Sequence, residues 1–176
     1  HQFTTIVKQM GVTLNKPFGK LSQGDQQKLS LALTIARNAE LLILDEPTSF
    51  LDIPSKKILM DLLVNWMEQD ERAILMASHQ SEDIKKLADY ITVLDSGKLL
   101  GTFEKEELIE SYQRYWFREE PSKSIVPGEV SRTENYIVSN QPEVTEEYFI
   151  QNKITWMNRT TVDLDETITL LLTKKI

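Results

Sequence analysis

The sequence contains no cysteine, only two histidines and no long apolar run. Without cysteine neither a disulfide framework nor a thiolate metal site can form, which suits a cytosolic protein. Two histidines also exclude a multi-histidine metal centre. The longest apolar runs, at 41–44 and 73–77, fall far short of the roughly 20 residues that a membrane-spanning helix requires. Any association with a membrane must therefore go through a partner.

Basic charge is also scarce, with 20 Lys and Arg against 27 Asp and Glu and a formal net charge of -7. Affinity for nucleic acid depends mostly on Lys and Arg side chains that neutralise phosphates, so no nucleic-acid partner is expected. The length of 176 residues allows one good core with a small appendage.

A glycine-rich phosphate-binding loop, G-x-x-x-x-G-K-[ST], is missing from these residues. The two Gly-Lys pairs, Gly19-Lys20 and Gly97-Lys98, are followed by leucine rather than by serine or threonine. The chain begins with His1 and shows neither a signal peptide nor a tag. We therefore expect that it starts in the middle of a longer domain.

Apolar periodicity predicts alternating strands and helices over the first hundred residues. The runs at 41–44 and 73–77 suit strands that are covered on both faces in a parallel sheet. Pro54 opens a helix between them, because proline is favoured in the first helical turn. A further helix at 81–90 leads to a third strand at 91–94. This order indicates an α/β fold with parallel strands.

The rest of the chain predicts a smaller structure. Residues 104–116 are typical of a helix and residues 121–128 of a linker, and the extension that follows contains possible helices at 144–151 and 164–173. The predicted divisions are 1–103 for the main domain, 104–128 for a helix and linker, and 129–176 for a small α/β extension.

Two adjacent carboxylates, Asp45 and Glu46, directly follow the first predicted strand. The carboxyl ends of strands in an α/β sheet are where ligands bind. There Asp45 can hold Mg²⁺, usually through water, and Glu46 can polarise a water that attacks a γ-phosphate. For this pair alone, a strand end followed by a surface turn is an equally good explanation.

The turn formed by Ser22, Gln23, Gly24 and Asp25 leads directly into a predicted helix. Such an N-terminus offers unpaired N–H groups, a hydroxyl and a positive dipole end to an anion, and Gly24 permits close backbone approach. An ordinary helix capped by serine explains the same residues.

His79 ends the second apolar run, so its imidazole is expected at the same sheet edge as the carboxylates. A histidine there can hydrogen-bond a γ-phosphate and hold the attacking water, although a plain loop histidine fits as well. Ser49 and Asp52 lie in the turn after Glu46. Asp52 suits either a helix N-cap or an interface position.

Together the four segments resemble the ABC (ATP-binding cassette) ATPases in order and spacing, almost continuously over 21–100. The signature departs from the commonest family form at Gln23 and Asp25, whereas Ser22 and Gly24 match. The corresponding segments are a signature loop at 21–27, a Walker B segment at 41–46, a D-loop at 49–52 and a switch histidine at His79.

The resemblance implies a partial P-loop NTPase-like core that uses ATP and Mg²⁺. By that resemblance Glu46 would be the general base, His79 the γ-phosphate sensor and Asp45 a support for Mg²⁺ through water. Because the phosphate loop is missing from these residues, we expect the chain alone to bind ATP very weakly.

The resemblance also implies a second ATPase subunit in a head-to-tail dimer. The turn of Ser22, Gln23, Gly24 and Asp25 would contact ATP held by that subunit. The D-loop residues Ser49 and Asp52 would couple the two sites.

The function implied by the family is an ATP-binding and ATP-hydrolysing subunit of a membrane transporter, peripheral on the cytoplasmic face through a transmembrane partner. The tail at 164–171 resembles bacterial exporters, although a helix packed on the core explains it equally well. Two alternatives stay open. One is a soluble ABC-type ATPase that acts on ribosomes or DNA, and the other is a non-catalytic fragment that dimerises with an intact ATPase.

Overall fold

A computed structural model describes residues 2–37, 39–69, 71–121 and 124–173. The chain divides into two compact units, His1–Leu87 and Ala88–Ile176. The sequence-based boundaries after residues 103 and 128 concern the extent of a family domain and stay predictions. No helix in the described ranges is long and apolar enough to cross a membrane.

The first unit is built around a parallel pair of strands. Leu41 of β1 lies opposite Ala73 of β2, and Asp45 lies opposite Ala77. This strand, helix, strand arrangement is the α/β unit that the sequence predicts. Its elements in chain order are α1 (Gln2–Gln9), a 3-10 turn (Phe18–Lys20), α2 (Gln23–Ile35), β1 (Leu41–Asp45), α3 (Ile53–Met67), β2 (Ala73–Ala77) and α4 (Ser81–Leu87).

Helix α3 shows how local sequence fixes these elements. Asp52 caps its N-terminus by accepting a hydrogen bond of 2.8 Å from the Ser55 amide, and Pro54 occupies the first turn. Its fully buried residues Leu59 and Leu63 lie four positions apart, which places both on one face of the helix.

The core of the first unit lies between one face of the sheet and helices α1 to α3. Leu42 and Leu44 pack there with Ile6, Ile35 and Leu63, and each of these side chains is at most 5% exposed. Burying one such side chain contributes about 1.5–3 kcal/mol to folding.

The opposite face of the β1–β2 sheet is open over the part of the chain that the structure describes. Leu41, Ile43 and Leu75 are 52%, 69% and 62% exposed, and buried and exposed residues alternate along β1. The expectation that these strands are covered on both faces is therefore wrong for the described residues. A continuous run of leucine and isoleucine fits both situations, because the pattern does not reveal which face packs.

The second unit contains a hairpin and a four-stranded antiparallel sheet. Strands β3 and β4 pair in antiparallel fashion, and the larger sheet has the order β6-β7-β5-β8. The elements in chain order are β3 (Tyr90–Asp95), β4 (Lys98–Glu104), α5 (Lys105–Ser111), β5 (Gln113–Trp116), β6 (Glu129–Arg132), β7 (Tyr136–Ser139), α6 (Pro142–Gln151), β8 (Asn158–Thr161) and α7 (Leu164–Thr173).

Aromatic rings form the core of this unit. Phe149 on α6 packs edge-on against Tyr115 at 5.3 Å and against Phe117 at 5.7 Å between ring centroids. Trp156 adds another ring 5.4 Å from Phe149. Edge-to-face pairs contribute about 0.5–1.5 kcal/mol beyond the burial of their area. The cluster therefore attaches α6 to one face of the sheet.

The predicted helix at 104–116 is correct only up to Ser111. Residues 113–116 instead form β5, which lies between β7 and β8 in the sheet. Buried Gln113 and Tyr115 alternate with half-buried Arg114 and Trp116, which is the period of a strand. This segment is thus part of the second unit's sheet.

Other sequence-based elements differ less. The predicted helix at 81–90 ends at Leu87, and the expected strand after it is β3, which pairs with β4 rather than with the parallel strands. Part of the predicted linker at 121–128 lies outside the described residues, and its described portion includes the buried Val126. Helices α6 and α7 occupy the positions predicted for the extension.

Candidate functional site

The candidate site lies where β1 and β2 end side by side. The backbone N–H of Glu46 donates to the carbonyl of Ala77 at 2.9 Å, which extends the strand pairing by one residue beyond Asp45. Because parallel strands run in the same direction, the residues that follow both strands emerge at one edge of the sheet. Glu46 and His79 meet at this edge.

Glu46 and His79 are in direct contact. Oε1 of Glu46 accepts a hydrogen bond of 3.0 Å from the backbone N–H of His79 and lies 2.8 Å from Nδ1 of the ring. Oε2 of Glu46 is buried and makes no hydrogen bond within the described residues. The His79 side chain is 75% exposed, so a ligand can approach the ring. The structure brings these two predicted site residues together, and their catalytic roles stay predictions.

The backbone is strained on the β1 side of this contact. Glu46 has φ 45° and Phe50 has φ 65°, a region that non-glycine residues rarely occupy. Hydrogen bonds from Ser49 N to Glu46 O at 3.1 Å and from Leu51 N to Thr48 O at 3.2 Å close the turns between them. Strained backbone of this kind clusters at functional sites, where surrounding structure holds it in place.

Asp45 is exposed at the end of β1, on the same open face as Leu41 and Ile43. Mg²⁺ is usually held by one or two carboxylates together with waters and substrate phosphates. Asp45 fits the role of such a single carboxylate. Over the described ranges no group of three or more His, Asp or Glu side chains could hold a metal ion. A magnesium ion at this edge would therefore depend on nucleotide phosphates as well.

The predicted D-loop is tied to the rest of the first unit through Asp52. Hydrogen bonds from the Ser55 side chain and amide hold the pKa of Asp52 below its usual range. Lys28 Nζ of α2 lies 3.9 Å from the same carboxylate. Half-buried Ser49 donates its amide to Glu46, as described above. Asp52 is thus a helix N-cap, while the coupling role of Asp52 and Ser49 stays a prediction.

The signature turn is exposed and locally satisfied. Oγ of Ser22 accepts a hydrogen bond of 3.1 Å from the Asp25 amide and donates to Oδ2 of Asp25 at 2.9 Å. Ser22 and Gln23 are exposed, whereas Gly24 and Asp25 are half-buried. The turn therefore has the ordinary capping geometry. It is also open to a ligand held by another molecule, so the contact with ATP stays a prediction.

Gly24 has an intramolecular reason to be glycine. A Cβ at this position would lie 2.8 Å from the carbonyl oxygen of Phe50. The next turn of α2 touches the same loop, because Gln27 Nε2 donates to the Pro47 carbonyl at 3.3 Å. The signature turn and the loop after Glu46 are therefore in direct contact within one chain.

A buried polar network that the sequence does not predict lies beside the Glu46–His79 pair. Thr48 Oγ1 donates to Asp83 Oδ2 at 2.6 Å, and the two residues are 3% and 1% exposed. Lys56 Nζ lies 2.7 Å from Asp83 Oδ1 and donates to Gln80 Oε1 at 2.6 Å. The contact of Lys56 with Asp83 is a salt bridge and not a well-aligned hydrogen bond.

No signal in the sequence marks this network. Asp83 is an acid in the first turn of α4, where acids are favoured for the helix dipole alone. Thr48 lies 35 residues away along the chain. Only the parallel pairing of β1 with β2 brings the two together.

Comparison with known proteins agrees with this geometry. Residues 1–49 match the family model described as ABC transporter. The molybdenum import ATP-binding protein ModC of Yersinia pestis bv. Antiqua is 34% identical over 143 residues, which cover 78% of this chain and 40% of that protein. The phosphate import ATP-binding protein PstB of Saccharolobus solfataricus is 35% identical over 107 residues, covering 56% and 41% respectively. The chain thus spans about two fifths of the length of these relatives.

Solved structures share the fold. The dimeric structure of MJ0796, a bacterial ABC transporter cassette, has a TM-score of 0.53 at 23% identity over 58% of this chain and 45% of that one. The same cassette in a post-hydrolysis state bound to ADP and Pi gives 0.52 at 23% identity, over 57% and 44%. The α/β fold is therefore that of an ABC ATPase cassette. The chain belongs to the ABC transporter ATPase family and carries a portion of that domain. The family resemblance found in the sequence is confirmed.

Proposed function

We propose that this chain is part of the ATP-binding and ATP-hydrolysing subunit of an ABC importer. The observation that carries the proposal is the contact between Glu46 and His79 at the ends of two parallel strands. The relatives named above are import ATP-binding proteins. They give no support to the exporter type that the tail at 164–171 suggested.

Glu46 is proposed as the general base. Its Oε1 contacts His79, and its Oε2 is buried without a hydrogen bond within the described residues, so one of the two oxygens would have to open towards the water that it polarises. His79 would use Nε2 to contact a γ-phosphate, because Nδ1 faces Glu46. Asp45 would support Mg²⁺, which neutralises phosphate charge when it is bound with ATP.

The signature turn is proposed to act on a second subunit. Its exposed Ser22 and Gln23 lie at the N-terminus of α2, whose thirteen residues give a positive dipole end, with Gly24 and Asp25 completing the turn. Ser49 and Asp52 would carry information between the two sites of a head-to-tail dimer. One structural neighbour is described as dimeric, which agrees with such an assembly.

The remaining partner is proposed to be a transmembrane subunit that positions the protein on the cytoplasmic face of the membrane. The support for it is indirect. The named relatives are import ATP-binding proteins.

ATP hydrolysis tests this proposal. The protein that contains these residues is incubated with saturating MgATP, and the rate of phosphate release is measured. Removing a general base typically costs about 10²- to 10⁴-fold in rate, so Glu46→Gln should lower kcat by at least 100-fold. Glu82→Gln is the matched control, because Glu82 is an exposed carboxylate on α4 that pairs only with Lys85 in the described contacts. Equal rates in the Glu46→Gln variant and the unmodified protein would contradict the assignment and favour a non-catalytic chain.

A further inference from the structure

Glu46 and His79 belong to different loops, so their contact needs something to hold the loops together. Glu46 follows β1, and His79 follows β2. Among the described hydrogen bonds, the strand pairing ends with the bond from Glu46 N to Ala77 O, one residue past β1 and at the last residue of β2. Beyond that bond the loop that begins at Glu46 leaves the sheet, and its backbone is strained at Glu46 and Phe50. A second attachment on the far side of the contact would restrain both loops.

Asp83 supplies such an attachment with a single carboxylate. One of its oxygens accepts the hydroxyl of Thr48, two residues after Glu46, at 2.6 Å. The other oxygen lies 2.7 Å from Lys56, which itself donates to the side chain of Gln80 at 2.6 Å. Gln80 directly follows His79. The network thus joins the loop of Glu46, the first turn of α3 and the loop of His79.

Burial distinguishes this network from the neighbouring ion pair. Asp83 is 1% exposed and Lys56 has a side chain 27% exposed. Lys86 and Asp61 also connect α4 with α3, at 2.7 Å, but their side chains are 41% and 54% exposed. Exposed pairs contribute little, whereas breaking a buried pair leaves an uncompensated charge. Asp61 is therefore a matched control for Asp83 on the same pair of helices.

We propose that Asp83 is a positioning residue that fixes the Glu46–His79 contact through Thr48 and Lys56. The consequence for ATP hydrolysis rests on the proposed function above, whereas the effect on geometry does not. In this chain the network determines whether the carboxylate and the imidazole meet, although none of its members touches either side chain in the described contacts. Asp83 acts through the loops and is not itself a catalytic residue.

Amide hydrogen exchange tests the geometry directly. The reporter is the backbone N–H of His79, which donates to Glu46 Oε1. The variants are Thr48→Val, which removes only the hydroxyl, and Asp83→Asn, which removes the charge. Loss of one such hydrogen bond should speed exchange at His79 by about 2- to 10-fold in Thr48→Val. Amides within the β1–β2 ladder serve as an internal reference for overall stability.

Local and uniform changes in exchange lead to opposite conclusions. Faster exchange at His79 with unchanged exchange in the β1–β2 ladder supports a positioning role, and Asp61→Asn should leave both unchanged. Unchanged exchange at His79 in Thr48→Val overturns the proposal. So does a loss of protection that is equal at His79 and across the ladder, because that outcome describes a purely structural residue. If Asp83→Asn does not fold, Thr48→Val carries the test.

A kinetic measurement separates this proposal from the proposed function. Asp83→Asn should lower kcat for ATP hydrolysis with little change in KM, since the ground-state contacts of the nucleotide are not altered. If Glu46→Gln leaves hydrolysis unchanged while Thr48→Val still loosens His79, the proposed function fails and the positioning role stands. If Glu46→Gln abolishes hydrolysis while Thr48→Val and Asp83→Asn change neither exchange nor kcat, the positioning role fails alone.

Discussion

The two main sheets of this protein differ in how their faces are covered. In the second unit, Tyr115 of the four-stranded sheet and Phe149 of α6 are fully buried, and their rings pack edge-on against each other. In the β1–β2 sheet of the first unit, Leu42 and Leu44 pack on helices while Ile43 between them is 69% exposed. The predicted catalytic residues all lie at the edge of this half-covered sheet. The four-stranded sheet thus packs on an aromatic core, whereas the end of the β1–β2 sheet carries the predicted site residues.

Truncating Phe149 should give the largest effect, because it removes the ring shared by several contacts in the closed core. For Phe149→Ala we expect a loss of about 3–5 kcal/mol in the free energy of unfolding of the second unit. Urea unfolding followed by tryptophan fluorescence measures it, with Val144→Ala on the exposed side of α6 as the control. A loss within about 0.5 kcal/mol, the usual range for surface positions, would show that the cluster is not the main support of this unit.

Neighbouring residues on β1 offer the sharpest test of the half-covered sheet. Leu42→Ala should cost about 2–5 kcal/mol, since Leu42 is 2% exposed in the core. Ile43→Ala removes a similar volume from the open face and should cost no more than about 1 kcal/mol, the span of strand propensity. Equal losses in the two variants would mean that another surface covers Ile43 in solution.

The smallest expected effect concerns acid stability of the second unit. Partial burial by itself raises the pKa of Glu129, but hydrogen bonds from Arg132 and the Val126 amide outweigh it, and the net pKa is lowered. A lowered folded pKa stabilises the protein above the unfolded value of about 4.3. That contribution is lost as the pH falls through the folded value.

Glu129→Gln should therefore flatten the acid limb of the curve of stability against pH while leaving its shape near neutrality unchanged. Thermal unfolding between about pH 3 and 7 measures the difference, because this range spans the loss of the contribution. Glu134→Gln on an exposed turn is a suitable control. A parallel acid limb in the Glu129→Gln variant would contradict the role of this carboxylate.

Ordered spacing makes much of the first unit predictable. The apolar runs and the turn residues between them predict the strand, helix, strand order around Pro54, with strands that end just before Glu46 and His79. The resemblance to the ABC family comes from the same spacing. The spacing does not predict how deeply each residue is buried. Leu42 and Ile43 are both apolar, and only the fold decides which of them packs in the core.

Contacts between distant residues are beyond sequence analysis. Asp83 meets Thr48 only because the strands that precede them pair in parallel. At 113–116 a usable signal is present, since Tyr115 and Trp116 are residues that favour strands. The preceding helical residues outweigh it, so the sequence predicts a helix through Trp116, whereas the helix ends at Ser111.

The close approach of Gly24 to the Phe50 carbonyl constrains how this surface can be redesigned. The oxygen that a methyl group would meet belongs to the main chain, so no exchange of the side chain at position 50 can make room for it. A library that randomises the turn at 22–25 should return glycine at 24. Other residues become acceptable there only when the backbone around Phe50 is varied in the same experiment.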